Sequence, residues 1–197
     1  MKTRNSGEKR AENRMQLRRQ FVHFALGSAL IGTYAFIGSL QAIFLTVFFL
    51  FFGILFSFLL KQGYTLPLVW RFHHHLKRGY EERYPLLGAI MFLVGALLAQ
   101  LVFAKPLVAL GAMIVLVYGD SVSTAIGTHF GSMKWVGGKS IEGTLSGLVV
   151  SFLFLLALFP AGIAFAAALV GMLGEAVPLE DNIVVPIVTG LALTILL

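Results

Sequence analysis

Residues 42–60 read AIFLTVFFLFFGILFSFLL, an apolar run without a single charge. A helix of that length matches the hydrocarbon core of a bilayer, which needs about 20 apolar residues to cross. In lipid only helices and closed barrels satisfy their own backbone groups, and so continuous a run, with no alternation, reads as helix. Further apolar runs cover about 21–38, 86–103, Leu107 into Gly119-Asp120, 144–159, 161–174 and 183–197. The pattern predicts an all-α, polytopic membrane helix bundle of seven spans, with six as the fallback because the last two runs are short. The 42–60 run is so uniformly apolar that it is expected to face lipid.

Composition narrows the function classes. Charged residues make up 12% of the 197-residue chain, half the roughly 25% of a soluble domain. With no cysteine, neither a disulfide framework nor a thiolate metal site is available. The net charge of +6 does not imply a nucleic-acid partner, because the basic residues flank apolar segments. With a cytoplasmic N-terminus and seven spans, fourteen of the fifteen Lys and Arg fall on the cytoplasmic side, and only Lys105 lies opposite. That agrees with the positive-inside rule. Two regions are expected: a basic cytoplasmic segment at 1–20, its first ten or so residues disordered and the remainder an interfacial helix leading into the membrane, and a single transmembrane catalytic domain at 21–197.

The polar residues concentrate at one place. Tyr118–Gly147 reads YGDSVSTAIGTHFGSMKWVGGKSIEGTLSG and interrupts the apolar helices. An Asp at the membrane edge marks a functional site by default. Asp120 is a candidate Mg²⁺ ligand on a nucleotide, with Ser121, Ser123 and Thr124 adding oxygens beside it; Mg²⁺ prefers carboxylate and phosphate oxygens. Lys134 and Lys139 suit phosphate. Gly137-Gly138-Lys139-Ser140 resembles the end of a P-loop, but that motif needs a Gly where Met133 stands, so a P-loop is rejected. Glu142 reads equally as a second metal ligand or as a partner of Lys139. Glu175, Asp181 and Asn182 form a second acidic cluster, in which Asp181 or Asn182 also reads as a helix cap. At the entrance to the first helix, Arg19 and His23 share a face and suit a phosphate or lipid headgroup. His73, His74 and His75 point about 100° apart on a helix and are poorly placed to share one ion. The segment 61–84 is too polar to span and reads as a loop with an interfacial helix.

GDSVSTAIGTHFG, followed by KW, GGKSIEGTLSG and later Glu175-x₅-Asp181-Asn182, resembles the CTP-dependent lipid kinases (dolichol kinase, phytol kinase and the CTP-using diacylglycerol kinase). That group is related to the phosphatidate cytidylyltransferases. LRRQFVHFALG is similar to its N-terminal pattern through Arg19, His23 and Gly27. The resemblance covers about 17–190 and implies a nucleotide site facing the cytoplasm. Gly119, Asp120, Lys139, Ser140, Glu142, Gly143 and Thr144 match the nucleotide motif, and Glu175, Asp181 and Asn182 the C-terminal motif. Ser121, Lys134 and Gly138 complete the expected nucleotide contacts. Mg²⁺ would be held by Asp120 with Glu142, Glu175 or Asp181, and Lys139 would stabilise the transferring phosphoryl group. The expected partners are CTP, a membrane lipid alcohol and the bilayer itself: the cell membrane, or the endoplasmic reticulum in a eukaryote. Oligomerisation is left open. The nearest alternative is a CDP-lipid synthase, with Arg18, Arg19 or Arg83 meeting an already phosphorylated acceptor. A small transporter is the third, and it would require polar residues through the membrane thickness.

Overall fold

A computed structural model describes residues 6–64 and 85–197. The described residues are helical apart from short turns, with no strand among them. We number the rods α1 (Ser6–Gly32), α2 (Ser39–Lys61), α3 (Leu87–Val102), α4 (Pro106–His129), α5 (Ile141–Leu155), α6 (Ala161–Leu173) and α7 (Asp181–Leu196). All-α architecture holds, and three helices are long and apolar enough to cross a membrane: Asn13–Ile37, α2 and α4. The other four are shorter apolar helices.

α4 is the axis of the bundle. Every residue from Val108 to Ser121 is buried, and α1, α3, α5, α6 and α7 all pack against it. A helix apolar all round needs such a shell. Pro106 sits at its first turn, where the missing N–H costs nothing. At Val115–Gly119 the rod widens into a π turn, a feature often found at functional sites, and regular helix resumes at Asp120. α2 is the opposite case. Phe44, Phe48, Phe51 and Phe58 are exposed along it, as its expected lipid-facing character requires. Its buried Thr46 instead meets Gln100 of α3, with Gln100 Nε2 donating to Thr46 Oγ1 at 3.0 Å.

Small residues set the helix spacing. Gly95 of α3 lies against the Asn182 carbonyl at the start of α7. The cause lies four residues on: Pro186 stands inside α7, has no N–H for that carbonyl, and its ring crowds it outward. Only a residue without a side chain leaves room for the displaced oxygen. Gly27 of α1 meets Val117 and Phe92 in the same manner.

One expectation is corrected, one is refined and one falls outside the described residues. Helix one begins at Ser6 rather than near residue 21, so the boundary expected at residue 20, and the last of the residues expected to be disordered, fall within a continuous helix. Helix four runs through Gly119-Asp120 to His129, and the polar loop, expected near 128–142, occupies about 130–140. The interfacial segment, with His73, His74, His75 and Arg83, lies outside the described residues.

Candidate functional site

At one end of the bundle α1, α3, α4, α7 and the loop before α5 surround a half-open cavity of about 850 Å³. That is within the usual range for small-molecule sites. Its cations are Arg19, Lys134 and Lys139; its carboxylates are Asp120, Glu180 and Asp181.

The loop is braced so as to present its lysines. Ser140 is buried and caps α5, its Oγ accepting the Gly143 N–H at 3.1 Å. Glu142 Oε1 accepts the backbone N–H of Ser132 and of Met133, each at 3.0 Å, and also the Ser132 hydroxyl. Ile141 N–H returns to the Met133 carbonyl at 2.9 Å. These bonds close the base of the loop. At its tip Gly137 and Gly138 take φ of +63° and +78°, a left-handed conformation that glycine adopts without strain. A Cβ at Gly138 would meet no protein atom within 4 Å, so its backbone is open to close approach by a ligand.

Lys139 reaches across the cavity mouth and pairs with Asp181, at the first turn of α7. Burial pulls its ammonium down, but Asp120, Glu175 and Asp181 together outweigh that and hold it above its ordinary range. Asp120 is buried, 7% exposed, on the wall that α4 contributes. Behind that wall lies Glu175, 2% exposed, in the turn after α6. Its Oε2 accepts from Ser123 at 3.0 Å and from Thr144 at 3.4 Å, and its Oε1 has no partner among the described residues. Burial pushes the Glu175 carboxyl up, Lys139 pulls it back and Asp120 adds to the rise, leaving it above the usual carboxylate range.

Of the expected site residues, Arg19, His23, Asp120, Lys134, Gly138, Lys139, Ser140, Asp181 and Asn182 line this one cavity. Gly119, Ser121, Glu142, Gly143, Thr144 and Glu175 do not. Gly119 is a packing glycine, where a Cβ would lie 2.9 Å from Met172 Sδ. Gly143 packs as closely on α4, where a Cβ would lie 2.6 Å from the Ser123 carbonyl. Ser121 is buried in the wall. Glu142 neither faces the cavity nor pairs with Lys139; its place is under the loop. Asp181 is not a cap, since its carboxylate takes the lysine. No group of three potential metal-ligating side chains occurs among the described residues. Mg²⁺ commonly takes one or two carboxylates and completes its shell with phosphate and water. Asp120 and Asp181, facing one cavity beside Thr124, fit that donor set; Glu142 and Glu175 are set back from it.

Sequence reasoning overlooked part of α1. Asn13, Gln16 and Gln20 line the cavity beside the expected His23. Their spacing of three, four and three residues puts them on one helix face, a polar stripe legible in the sequence but masked there by the neighbouring arginines. Comparison of the chain with family models, with curated proteins and with solved structures found no match.

Proposed function

We propose that this chain is a polytopic membrane enzyme of seven spans with its N-terminus and cavity on the cytoplasmic side. It transfers the γ-phosphate of CTP to the hydroxyl of a membrane lipid alcohol such as a polyprenol, a phytol-like alcohol or diacylglycerol. The observation that carries this reading is the cavity itself. Lysines on a glycine-tipped loop face carboxylates on two helices, at one end of an apolar bundle. Cations for phosphate, carboxylates for its metal and an apolar body for the lipid are the parts that the reaction needs.

The chain's own residues divide the work. Lys139 and Lys134 neutralise the triphosphate, and the Gly138 backbone allows it to approach closely. Asp120 and Asp181 would hold Mg²⁺, which when bound supplies charge neutralisation on the phosphates. Asp181 also keeps Lys139 aimed across the mouth. The acceptor oxygen forms its bond to the γ-phosphorus as the bond to the β–γ bridging oxygen breaks; its proton passes to solvent through the open cavity, and CDP leaves. Because such transfers pass through a loose transition state, positioning and charge carry most of the catalysis.

Arg19 keeps the cytidylyltransferase reading in play, because it is a buried cation on the same cavity and would suit a lipid phosphate. The leaving group separates the two. Purified protein with Mg²⁺, CTP and a lipid alcohol should release CDP and form the lipid monophosphate, followed by mass spectrometry. Pyrophosphate release with a CDP-lipid product would replace the kinase reading.

A further inference from the structure

We propose that the cavity opens sideways into the bilayer over the turn between α6 and α7, with Leu179 as its sill, and that the hydrocarbon chain of the lipid acceptor lies across that sill. The inference rests on the seven-span reading and adds the acceptor's route to the proposed reaction.

The register of α7 against α3 makes the opening. Gly95 of α3 abuts the Asn182 carbonyl, and Gly190 of α7 abuts the Phe103 ring just past the end of α3. Asn182 to Gly190 and Gly95 to Phe103 are equal steps along the chain, so the two helices run side by side in one direction. Asp181 is therefore level with Val94, and α7 begins two turns, about 10 Å, beyond the start of α3 at Leu87. The space that a longer α7 would fill belongs to the cavity: Gly88, in the first turn of α3, lines it, and so do Leu179, Glu180, Asp181 and Asn182.

The depth of that opening can be read along α4. Ser123 Oγ donates to Glu175 Oε2 at 3.0 Å. That bond sets the α6–α7 turn level with Ser123, about 9 Å short of the end of α4 at His129. α4 has 24 residues and rises about 36 Å, a little more than the ~30 Å of a hydrocarbon core. Centred in that core, it carries Ser123 about 6 Å below the cavity-side edge. The turn thus lies at the depth of acyl chains rather than of headgroups.

Its side chains divide accordingly. On the inner side Glu175 is held by Ser123 and Thr144, and Asp181 pairs with Lys139. Val177 and Leu179 are exposed, Leu179 at 70%, and they continue the apolar surface that Phe165, Val170 and Leu173 expose along α6. Leu179 also lines the cavity, so this one side chain stands at the boundary between polar interior and outer surface. In water such exposure forfeits the gain from burying a leucine; at acyl depth, lipid covers it. A lipid lying against α6 would rest its chain on Leu173 and Leu179 and reach over the sill with its head, toward Asp181 and Asp120.

The test exploits a chain without cysteine. Leu179→Cys, a change at an exposed position, carries a single NBD fluorophore on the full-length protein in nanodiscs. Val149→Cys, at an exposed position of α5, carries the same label as a reference for lipid contact. The label at 179 is expected to lose more emission to 5-doxyl phosphatidylcholine than to iodide in the buffer. Stronger quenching by iodide than by the lipid nitroxide would overturn the sill. Failure of lipid nitroxides to quench the label at 149 would remove the seven-span reading, and the inference with it. These measurements need no turnover, so they stand apart from the choice of CTP as donor. In turnover with Mg²⁺-CTP, Leu179→Asn is expected to raise KM for geranylgeraniol about tenfold and to leave KM for CTP unchanged. An unchanged KM for geranylgeraniol, or an equal rise for CTP, would overturn the route.

Discussion

Gly95→Ala is expected to damage stability and activity together, for a reason visible at one contact. The new Cβ would fall inside the van der Waals envelope of the Asn182 carbonyl oxygen, with the carbonyl carbon at 2.8 Å. Carbon atoms pack at about 3.5–4.0 Å, so α3 and α7 must part by something near 1 Å. The obstacle is backbone, and Pro186 prevents that carbonyl from turning back into its own helix. Overpacking of this kind costs about 1–3 kcal/mol. Replacing a helical glycine returns about 0.5–1 kcal/mol, leaving a net loss of up to about 2.5 kcal/mol. If the helices yield, Asp181 and Asn182 shift with α7, and a misplacement of about 1 Å costs about 10²-fold in rate. The assays are the thermal midpoint in detergent and CTP-dependent turnover, with Gly162→Ala as control, because a Cβ there meets nothing within 4 Å. A Gly95→Ala protein matching Gly162→Ala in both would refute the packing argument.

Glu142→Gln should loosen the 130–140 loop, raising KM for CTP about tenfold while kcat falls less, since Glu142 holds the Ser132 and Met133 amides rather than the substrate; an equal fall in kcat and kcat/KM would return it to the chemistry. Lys139→Met should cut kcat by about 10²-fold or more, as loss of a preorganised charge does, and single-turnover kinetics will show whether the chemical step is the one slowed. Thr46→Val and Gln100→Leu should each lower stability by about 1–3 kcal/mol, and the pair together by much less, because a buried polar partner left alone is what costs; a double-mutant cycle in denaturing detergent measures the coupling.

The helices were legible because an apolar run near membrane length has few other readings. The ends were harder. Ser6 to Arg19 of α1 is too polar for an apolar-run criterion to include, and nothing in VLVYG marks a π turn. The site was half legible. Asp120, Lys139 and Asp181 were singled out by charge next to lipid, but the Lys139–Asp181 pairing crosses 42 residues and needs the fold to bring it about. Glu142 was misplaced for a related reason. Three residues from Lys139, it reads as a neighbour in sequence, while the turn at Ser140 sends its side chain under the loop. Gly119 and Gly143 are polar-motif glycines that serve packing, and a motif alone does not distinguish the two uses. Gln20 shows the reverse: its helical spacing with Asn13, Gln16 and His23 was visible, and only its burial makes it more than a surface amide.

The most direct test of the account follows the label. Wild type and Asp120→Asn, in nanodiscs with Mg²⁺, would receive CTP labelled at the γ position and, in parallel, at the α position, with geranylgeraniol or 1,2-dioctanoylglycerol as acceptor. The account predicts lipid label from the γ position alone, reduced by about 10²-fold or more in Asp120→Asn. Lipid label from the α position, or transfer indifferent to Asp120, would contradict it.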